Sequence, residues 1–207
     1  MKRTVLIVAE GEHELSGGTA DAALPLLVRR LFGEGIDFRP VAKRIRELSG
    51  HMHPGRGNTL ARKFIGIMRL AERDGYDAVI ILIDQDDDRS RHHSATIAQE
   101  TEYTLLPRAI GIAVRTFDAW FLADHAALSS AIDAQINMQP DPETNSDPKS
   151  ILQGFNNVTN SERRLRDLYS VVASGANLEI VKQRCPVGFG VFAMRVEELS
   201  RVLTRQS

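Results

Sequence analysis

The sequence predicts an α/β domain built on a central, mostly parallel β-sheet. Two segments, 4–9 (TVLIVA) and 77–84 (DAVIILID), are continuous apolar runs rich in β-branched residues, which is typical of strands covered on both faces. Between them, segments 19–32 and 59–73 place their apolar residues at helical spacing. This alternation of strand, helix and strand favours parallel pairing and a sheet flanked by helices.

The remaining elements follow in chain order. Two further strands are predicted, at 37–41 and at 111–115 (GIAVR). Further helices are predicted from near Ser94 into 100–107, over 116–124 as a short helix, over 161–174 and over 189–204. Glycines and prolines predict loops at 49–58 and 137–148. We expect one domain over 1–207, with its core in 1–136 and a mainly helical C-terminal part in 149–207.

The composition is that of an ordinary globular protein. Of the 207 residues, 43 % are hydrophobic and 26 % are charged, which excludes a disordered, collagen-like or coiled-coil chain. The longest apolar run has six residues, 78–83, whereas a membrane helix needs about 20. No secretory signal is recognisable, and the single cysteine, Cys185, cannot form an internal disulfide. We therefore expect a cytoplasmic protein without membrane contact.

Charge is distributed unevenly along the chain, although the net charge is only −1. Residues 29–73 carry 11 Lys/Arg against 4 Asp/Glu, residues 74–147 carry 4 against 14, and residues 148–207 carry 9 against 5. An acidic centre between basic flanks suits a site where carboxylates hold a cation and basic groups hold phosphates. An unevenly charged, solvated surface would give the same counts.

Acidic residues follow three of the four predicted strands. Glu10 and Glu14 come after the first strand, Asp84 and Asp86 after the third, and Asp118 after the fourth. Because the carboxyl ends of parallel strands meet at one edge of a sheet, where such sheets bind ligands, we expect these side chains to lie together. The alternative for each of them is an acidic turn or a carboxylate near a helix N-terminus.

A cluster of carboxylates predicts a hard cation. Burying unpaired negative charges is costly, and a cation among them removes much of that cost. An all-oxygen ligand set suits Mg²⁺ or Mn²⁺. Zinc is not indicated, because Cys185 stands alone and the adjacent pair His92-His93 lacks the spacing of a zinc site.

The motifs Glu10-Gly11-Glu12-His13-Glu14 and Asp84-Gln85-Asp86 resemble those of the Toprim domain, which topoisomerases, primases and nucleases of the overcoming-lysogenization-defect family share. The resemblance extends to a large Toprim-like family of small prokaryotic proteins that are often encoded beside an AAA-type ATPase. It rests there on further motifs in the same order, FDAWFLAD at 117–124, Asp147-Pro148-Lys149, and Cys185-Pro186 with Phe189 and Phe192. One departure is Asp118, because the family usually has Glu at this position.

The resemblance implies a role for each acidic residue. Glu10 would lie nearest the reacting phosphate as a metal ligand or general base, Asp84 and Asp86 would hold a divalent metal, and Glu14 and Asp118 would support a second one. Two metals about 3.5–4 Å apart stabilise the attacking and leaving oxygens of a phosphodiester displacement. A basic group is also needed against the charge of the transition state. Lys149 is the first candidate, with Lys182 and Arg184 as alternatives.

The function that the resemblance implies is cleavage of nucleic acid, with DNA as the expected substrate and Mg²⁺ or Mn²⁺ as the cofactor. The setting would be prokaryotic defence or DNA processing with an AAA-type ATPase as partner, and a homo-oligomer is left open. Nucleic-acid contacts are expected from Arg56, Arg89, Arg91, Lys182 and Arg184. Two other functions stay open: a non-catalytic, metal-binding partner or sensor subunit of the ATPase, and a phosphoryl-transfer enzyme acting on a small substrate. An open groove flanked by basic residues would favour nucleic acid, and a closed pocket the small substrate.

Overall fold

A computed structural model describes residues 2–11, 14–15, 22–48, 50, 53–54, 56–158 and 164–206, with side chains throughout except at 156–158. The strands are β1 (Arg3–Ala9), β2 (Phe38–Arg44), β3 (Ala78–Asp84) and β4 (Arg108–Ala113). The helices are α1 (Ala23–Phe32), α2 (Thr59–Arg73), α3 (Ser90–Gln99), α4 (His125–Ile132), α5 (Pro148–Val158), α6 (Leu165–Gly175), α7 (Leu178–Arg184) and α8 (Val191–Arg205). The predicted positions 19–21, 161–163 and part of the loop at 49–58 lie outside the described residues.

The four strands form one parallel sheet in the order β2-β1-β3-β4, which confirms the predicted α/β class. The chain passes from β1 to β2 on one side and then returns to β3 on the other side of β1. The strand order therefore reverses between β1 and β3. In open parallel sheets, ligands bind at such a reversal, beyond the carboxyl ends of the strands.

The central strands face two separate apolar layers. Ile7 and Ile80 pack with residues of α1, α6 and α8, whereas Leu6 and Ile81 pack on the other face with residues of α2 and α3. All four side chains are buried. Burial on both faces explains why β1 and β3 are continuous apolar runs rather than alternating ones.

The predicted end of α3 is wrong. The helix was expected to run from near Ser94 into 100–107, but it spans Ser90–Gln99 and the following segment is not helical. The guanidinium of Arg108 donates to the backbone carbonyls of Gln99, Thr101 and Thr104. A basic side chain that takes the last carbonyls of a helix stabilises its end, and the chain beyond it runs on to β4.

The sequence patterns also missed the bounds of β4 and three helices. The strand predicted at 111–115 is β4, which begins three residues earlier and ends before Arg115, whose φ of 59° is left-handed. Helix α4 was not predicted, and α5 and α7 were expected only as unspecified parts of the mainly helical segment 149–207. Asp124 and Asn177 cap α4 and α7 by accepting from backbone N–H groups in their first turns. Among the helices that the structure describes, none is both long and apolar enough to cross a membrane.

Gly111 of β4 is required by the close approach of α8. A Cβ atom at this position would lie 2.5 Å from the ring of Phe192, which is fully buried and has no room to turn away. Gly111→Ala is therefore expected to lower the free energy of unfolding by about 1–3 kcal/mol, as measured by urea denaturation.

Gly154→Ala in α5 is the matched control for this prediction. In the part of the chain that the structure describes, a Cβ atom there meets nothing within 4 Å, and alanine is the better helix former by about 1 kcal/mol. This variant is expected to be at least as stable as the original chain. Equal stability of the two variants would show that α8 does not approach β4 as closely as described.

Candidate functional site

The ends of β1 and β3 bring Glu10 and Asp84 together at the reversal of strand order. Ala9 of β1 pairs with Leu82 of β3, so both carboxylates leave the sheet at the same edge. Glu10 Oε2 accepts from the backbone N–H of Asp84 at 3.2 Å. Asp84 Oδ1 in turn accepts from the backbone N–H of Phe117 at 2.7 Å, which ties the end of β3 to the segment after β4.

Glu14 is the most buried of the acidic residues that the sequence predicted for the site, with 7 % of the residue exposed. Its Oε2 is buried and has no hydrogen-bond partner among the described residues. Burial raises the pKa of Glu14, hydrogen bonds from the backbone N–H groups of Glu14 and Gly11 oppose this shift, and the nearby charges of Asp118 and Glu10 add to it. A buried carboxylate oxygen without a donor is costly, so a cationic partner would stabilise this position.

Asp84, like Glu14, has a raised pKa. Its pKa is raised to about 8, chiefly by burial and further by repulsion from Glu14, Asp118 and Glu10, while the hydrogen bond from the Phe117 N–H opposes the shift. These interactions show that the four carboxylates lie within electrostatic reach of one another. We call Glu10, Glu14, Asp84 and Asp118 the acidic cluster.

Asp118 belongs to a turn of 3₁₀-helix, Phe117–Leu122, and is held by a residue from α6. The hydroxyl of Tyr169 donates a short hydrogen bond to Asp118 Oδ1. The Tyr169 ring is buried and stacks on Phe121 with a centroid separation of 4.5 Å. Burial and the neighbouring charge of Asp118 raise the pKa of Tyr169, so its hydroxyl keeps its proton and remains a donor.

Arg91 of α3 connects the acidic cluster to Asp86. Its Nη1 lies 3.3 Å from Glu10 Oε2 and 3.0 Å from Asp86 Oδ2, and it donates to the backbone carbonyl of Asp84 at 2.6 Å. Asp86 lies beyond β3 in a left-handed turn, with φ of 49°, and its side chain is 58 % exposed. Asp86 thus lies beside the cluster, joined to Glu10 through the guanidinium.

Basic residues stand at the two outer strand ends of the same edge. In the register of the sheet, Arg44 of β2 pairs with Ala9, directly before Glu10, and Arg115 follows the end of β4. Arg44 pairs with Glu47 and Arg115 with Asp87, both at 2.7 Å. Exposed ion pairs of this kind contribute little, so phosphates can replace their carboxylates.

The other predicted basic residues lie outside the acidic cluster. Lys149 is exposed in the first turn of α5, and Arg56 and Arg89 are exposed as well. Lys182 is engaged by Glu179 and Glu197. The guanidinium of Arg184 donates to the backbone carbonyls of Ala123, Gln139 and Pro140. Lys182 and Arg184 therefore make contacts within the protein that stabilise the C-terminal helices.

Sequence reasoning missed Tyr169 altogether. It contacts Asp118 from a helix 51 residues further along the chain, and its helical position gives no local signal of a polar role. Glu12 and His13 of the first motif lie outside the described residues.

In the part of the chain that the structure describes, no three Asp, Glu, His or Cys side chains are already placed to ligate one ion together. The donor set is nevertheless chemically suited to a hard cation. It consists of carboxylate oxygens, two of the carboxyl groups have raised pKa values, and the buried Glu14 Oε2 has no donor among the described residues. The residues present therefore fit Mg²⁺ or Mn²⁺ rather than a soft metal.

Comparison of the chain with protein-family models, with curated proteins and with solved structures found no match. The fold and the site therefore define only a general class. It is a parallel α/β protein that presents an acidic cluster at the carboxyl edge of its sheet, between basic strand ends.

Gly11 offers a way to disturb the acidic cluster without disturbing the fold. A Cβ atom at Gly11 would overlap the carboxylate of Glu14, and that flexible side chain can move aside at little cost in stability. Gly11→Ala is expected to leave the melting temperature unchanged and to reduce any metal-dependent activity about tenfold or more. Gly50→Ala, where the added methyl group meets no described atom within 4 Å, is expected to change neither property.

Proposed function

We propose that this protein cleaves phosphodiester bonds of nucleic acid, most readily DNA, in a reaction that depends on Mg²⁺ or Mn²⁺. The proposal rests on the acidic cluster, four carboxylates near the strand ends, where burial and then mutual repulsion raise the pKa values of Asp84 and Glu14. Such a cluster is costly for folding unless a cation binds it. The resemblance to Toprim-like proteins supports the same activity and adds a prokaryotic, cytoplasmic setting with an AAA-type ATPase as partner.

The position of each carboxylate indicates its role in the proposed reaction. Glu10 and Asp84 would hold the cation at the reversal of strand order, while Glu14 and Asp118 would extend the oxygen ligand set on the side of Tyr169. When bound, the cation supplies Lewis-acid stabilisation of phosphate oxygens and a more acidic bound water. Glu10 is half-buried at the mouth of the cluster, which also suits it to accept a proton from the attacking water.

Arg91 and the outer strand ends supply the positive charge that a polyanion needs. The Arg91 guanidinium already lies between Glu10 and Asp86, and a phosphate oxygen is a favourable alternative partner for it. Arg44 and Arg115 flank the acidic cluster on the two sides of the sheet edge. Neighbouring β-strands lie about 4.8 Å apart, so the distance between Arg44 and Arg115 corresponds to a few nucleotides along a nucleic-acid strand.

A second candidate function is phosphoryl transfer on a nucleotide-sized substrate. A cavity of about 790 Å³ adjoins the acidic cluster and includes Asp86 in its lining. Its volume lies in the range of small-molecule sites, about 300–1,000 Å³. Cleavage of an oligonucleotide would favour the nuclease, whereas cleavage of a small phosphodiester alone would favour the enzyme with a nucleotide-sized substrate.

The test uses the purified full chain with end-labelled single-stranded and duplex DNA and RNA. Cleavage is expected with Mg²⁺ or Mn²⁺ and not with EDTA, and binding is expected to weaken steeply with salt because phosphate contacts release counterions. Glu10→Gln is expected to slow cleavage about a hundredfold. Glu34→Gln, at an exposed carboxylate near the opposite edge of the sheet, is the matched control and is expected to cleave normally.

Two outcomes would contradict the proposal. Cleavage by Glu10→Gln at the rate of the original chain would assign the activity to a contaminant or to another site. Thermal stabilisation by Mn²⁺ without cleavage of any substrate would favour the non-catalytic, metal-binding function instead.

A further inference from the structure

The cavity beside the acidic cluster lies between the ends of β3 and β4. Residues that follow β3 (Gln85, Asp86), the start of α3 (Arg89, His92), the end of β4 (Val114) and the turn before α8 (Val187) contribute to its lining. Its volume of about 790 Å³ is larger than one phosphate or metal ion requires.

The cavity is linked to the acidic cluster through Asp86 and Arg91. The Asp86 carboxylate lines the cavity and pairs with Arg91, which contacts Glu10 on its other side. A ligand in contact with Asp86 would therefore be separated from a phosphate at Glu10 by the Arg91 side chain. A phosphodiester has a nucleoside on each side, so the adjoining volume is where one of the two would be placed.

The polar groups inside the cavity include an uncharged hydrogen-bonding pair. His92 Nε2 lies 2.9 Å from Gln85 Oε1, and burial and the charge of Arg195 lower the pKa of His92. The imidazole is therefore neutral near pH 7. A neutral imidazole and an amide offer donors and acceptors without a net charge, which is how protein side chains bind the edges of unstacked bases.

The remaining lining suits a ligand with an apolar body and one anionic end. Val187 is 54 % exposed, so part of its apolar surface is open to a planar ring. The described residues offer Arg89 no ion-pair partner, which leaves its guanidinium free for a phosphate. Three carboxylates line the cavity, Asp86, Asp87 and Glu143. Asp87 pairs with Arg115, and Glu143 accepts from the backbone N–H groups of Val187 and Gly188. Together they oppose a small multivalent anion, because they would repel a ligand that is all charge.

We propose that this cavity binds one nucleotide unit, with the base between Val114 and Val187, its edge at Gln85 and His92, and its phosphate at Arg89. The proposal deepens the proposed function and rests on it for the identity of the ligand, since the same chemistry is offered by a free nucleotide and by the terminal or unpaired nucleotide of a strand. It implies that a base must leave the stack to be bound, and hence a preference for single-stranded substrate.

Calorimetric titration of the full chain without divalent cations tests the proposal, because cleavage cannot then contribute. The probes are deoxynucleoside monophosphates, inorganic phosphate and a trinucleotide. Saturable binding of at least one monophosphate is expected, with phosphate alone bound at least about tenfold more weakly, a difference of 1.4 kcal/mol. Tighter binding of the trinucleotide would identify the strand as the source, and equal binding the free nucleotide; both results support the cavity.

Two pairs of variants locate the binding. His92→Ala is expected to weaken monophosphate binding about tenfold, whereas His93→Ala, at the exposed neighbour outside the cavity lining, is expected to leave it unchanged. Val187→Trp fills the cavity and is expected to abolish binding, and Val202→Trp, at a similarly exposed valine of α8, is its control.

Binding of phosphate as tight as that of the monophosphates, no binding of any monophosphate, or equal losses in the two members of each pair would overturn the proposal. The result is independent of the nuclease assay. Loss of cleavage in Glu10→Gln together with absent nucleotide binding refutes the cavity alone, and nucleotide binding without any metal-dependent cleavage refutes the proposed nuclease alone.

Discussion

Asp84→Asn is expected to abolish metal-dependent cleavage and, in the same protein, to raise stability when no metal is present. The asparagine keeps an oxygen that can accept from the backbone N–H of Phe117, the contact that Asp84 makes at 2.7 Å. It also removes a carboxyl group whose charged form burial and three neighbouring carboxylates disfavour, so that the folded chain must hold it protonated at neutral pH. We expect a gain of about 2–4 kcal/mol at neutral pH from this relief.

The pH dependence gives the sign of this effect. The folded state raises the pKa of Asp84 from 3.8 to about 8. The group therefore contributes fully to the free energy of unfolding at pH values below its pKa in the unfolded chain, and this contribution is lost as pH rises towards about 8. The free energy of unfolding of the metal-free chain is therefore expected to fall between about pH 4 and 8. In the Asn variant this part of the decline is absent.

Chemical denaturation with and without Mn²⁺ measures both halves of the prediction. Mn²⁺ is expected to stabilise the original chain and to have much less effect on Asp84→Asn. Asp37→Asn serves as the control, because Asp37 is 73 % exposed and pairs only loosely with Lys2 at 3.4 Å, a contact worth at most about 1 kcal/mol. If the Asp84→Asn variant were less stable and still cleaved, Asp84 would have a structural role and would not be needed for cleavage.

The central strands were predictable from sequence because their signal is local. Burial on both faces requires apolar residues in every position, so β1 and β3 are visible as runs without reference to any partner. The end of α3 was not predictable in this way, because the terminating group is Arg108, nine residues beyond the carbonyl of Gln99 to which it donates. Local periodicity contains no information on such a contact.

The same distinction applies to the candidate site. Glu10 and Asp84 could be placed together from sequence, because the ends of parallel strands in an alternating pattern must meet at one edge. The contacts that organise the site are long-range and cross elements: Arg91 joins Glu10 to Asp86, and Tyr169 donates to Asp118. Neither follows from spacing, since both depend on how α3 and α6 pack against the sheet.

Asp118 decides whether the acidic cluster extends beyond Glu10 and Asp84. Asp118→Asn keeps an acceptor for Tyr169 and a similar volume, but removes the charge, so it is expected to reduce metal-dependent cleavage by about two to three orders of magnitude while the melting temperature stays the same or rises. Asp118→Glu lengthens the side chain by one methylene and keeps the charge, and it is expected to keep activity or raise it. The first N–H group of the turn over Phe117–Leu122 donates to Asp84 and not to Asp118, whose carboxylate accepts from Tyr169, so a capping role does not compete as an explanation.

Tyr169→Phe separates the charge of Asp118 from its orientation. The phenyl ring keeps the stacking on Phe121 but no longer donates to the carboxylate, at a cost in stability of about 0.5–1.5 kcal/mol. If Tyr169 positions Asp118 for a cation, the variant is expected to need about 10–100 times more Mn²⁺ for half-maximal cleavage, with a smaller loss at saturating Mn²⁺. A variant with reduced stability and an unchanged Mn²⁺ requirement would make Tyr169 purely structural. Full activity of Asp118→Asn would then confine metal binding to Glu10, Asp84 and Asp86.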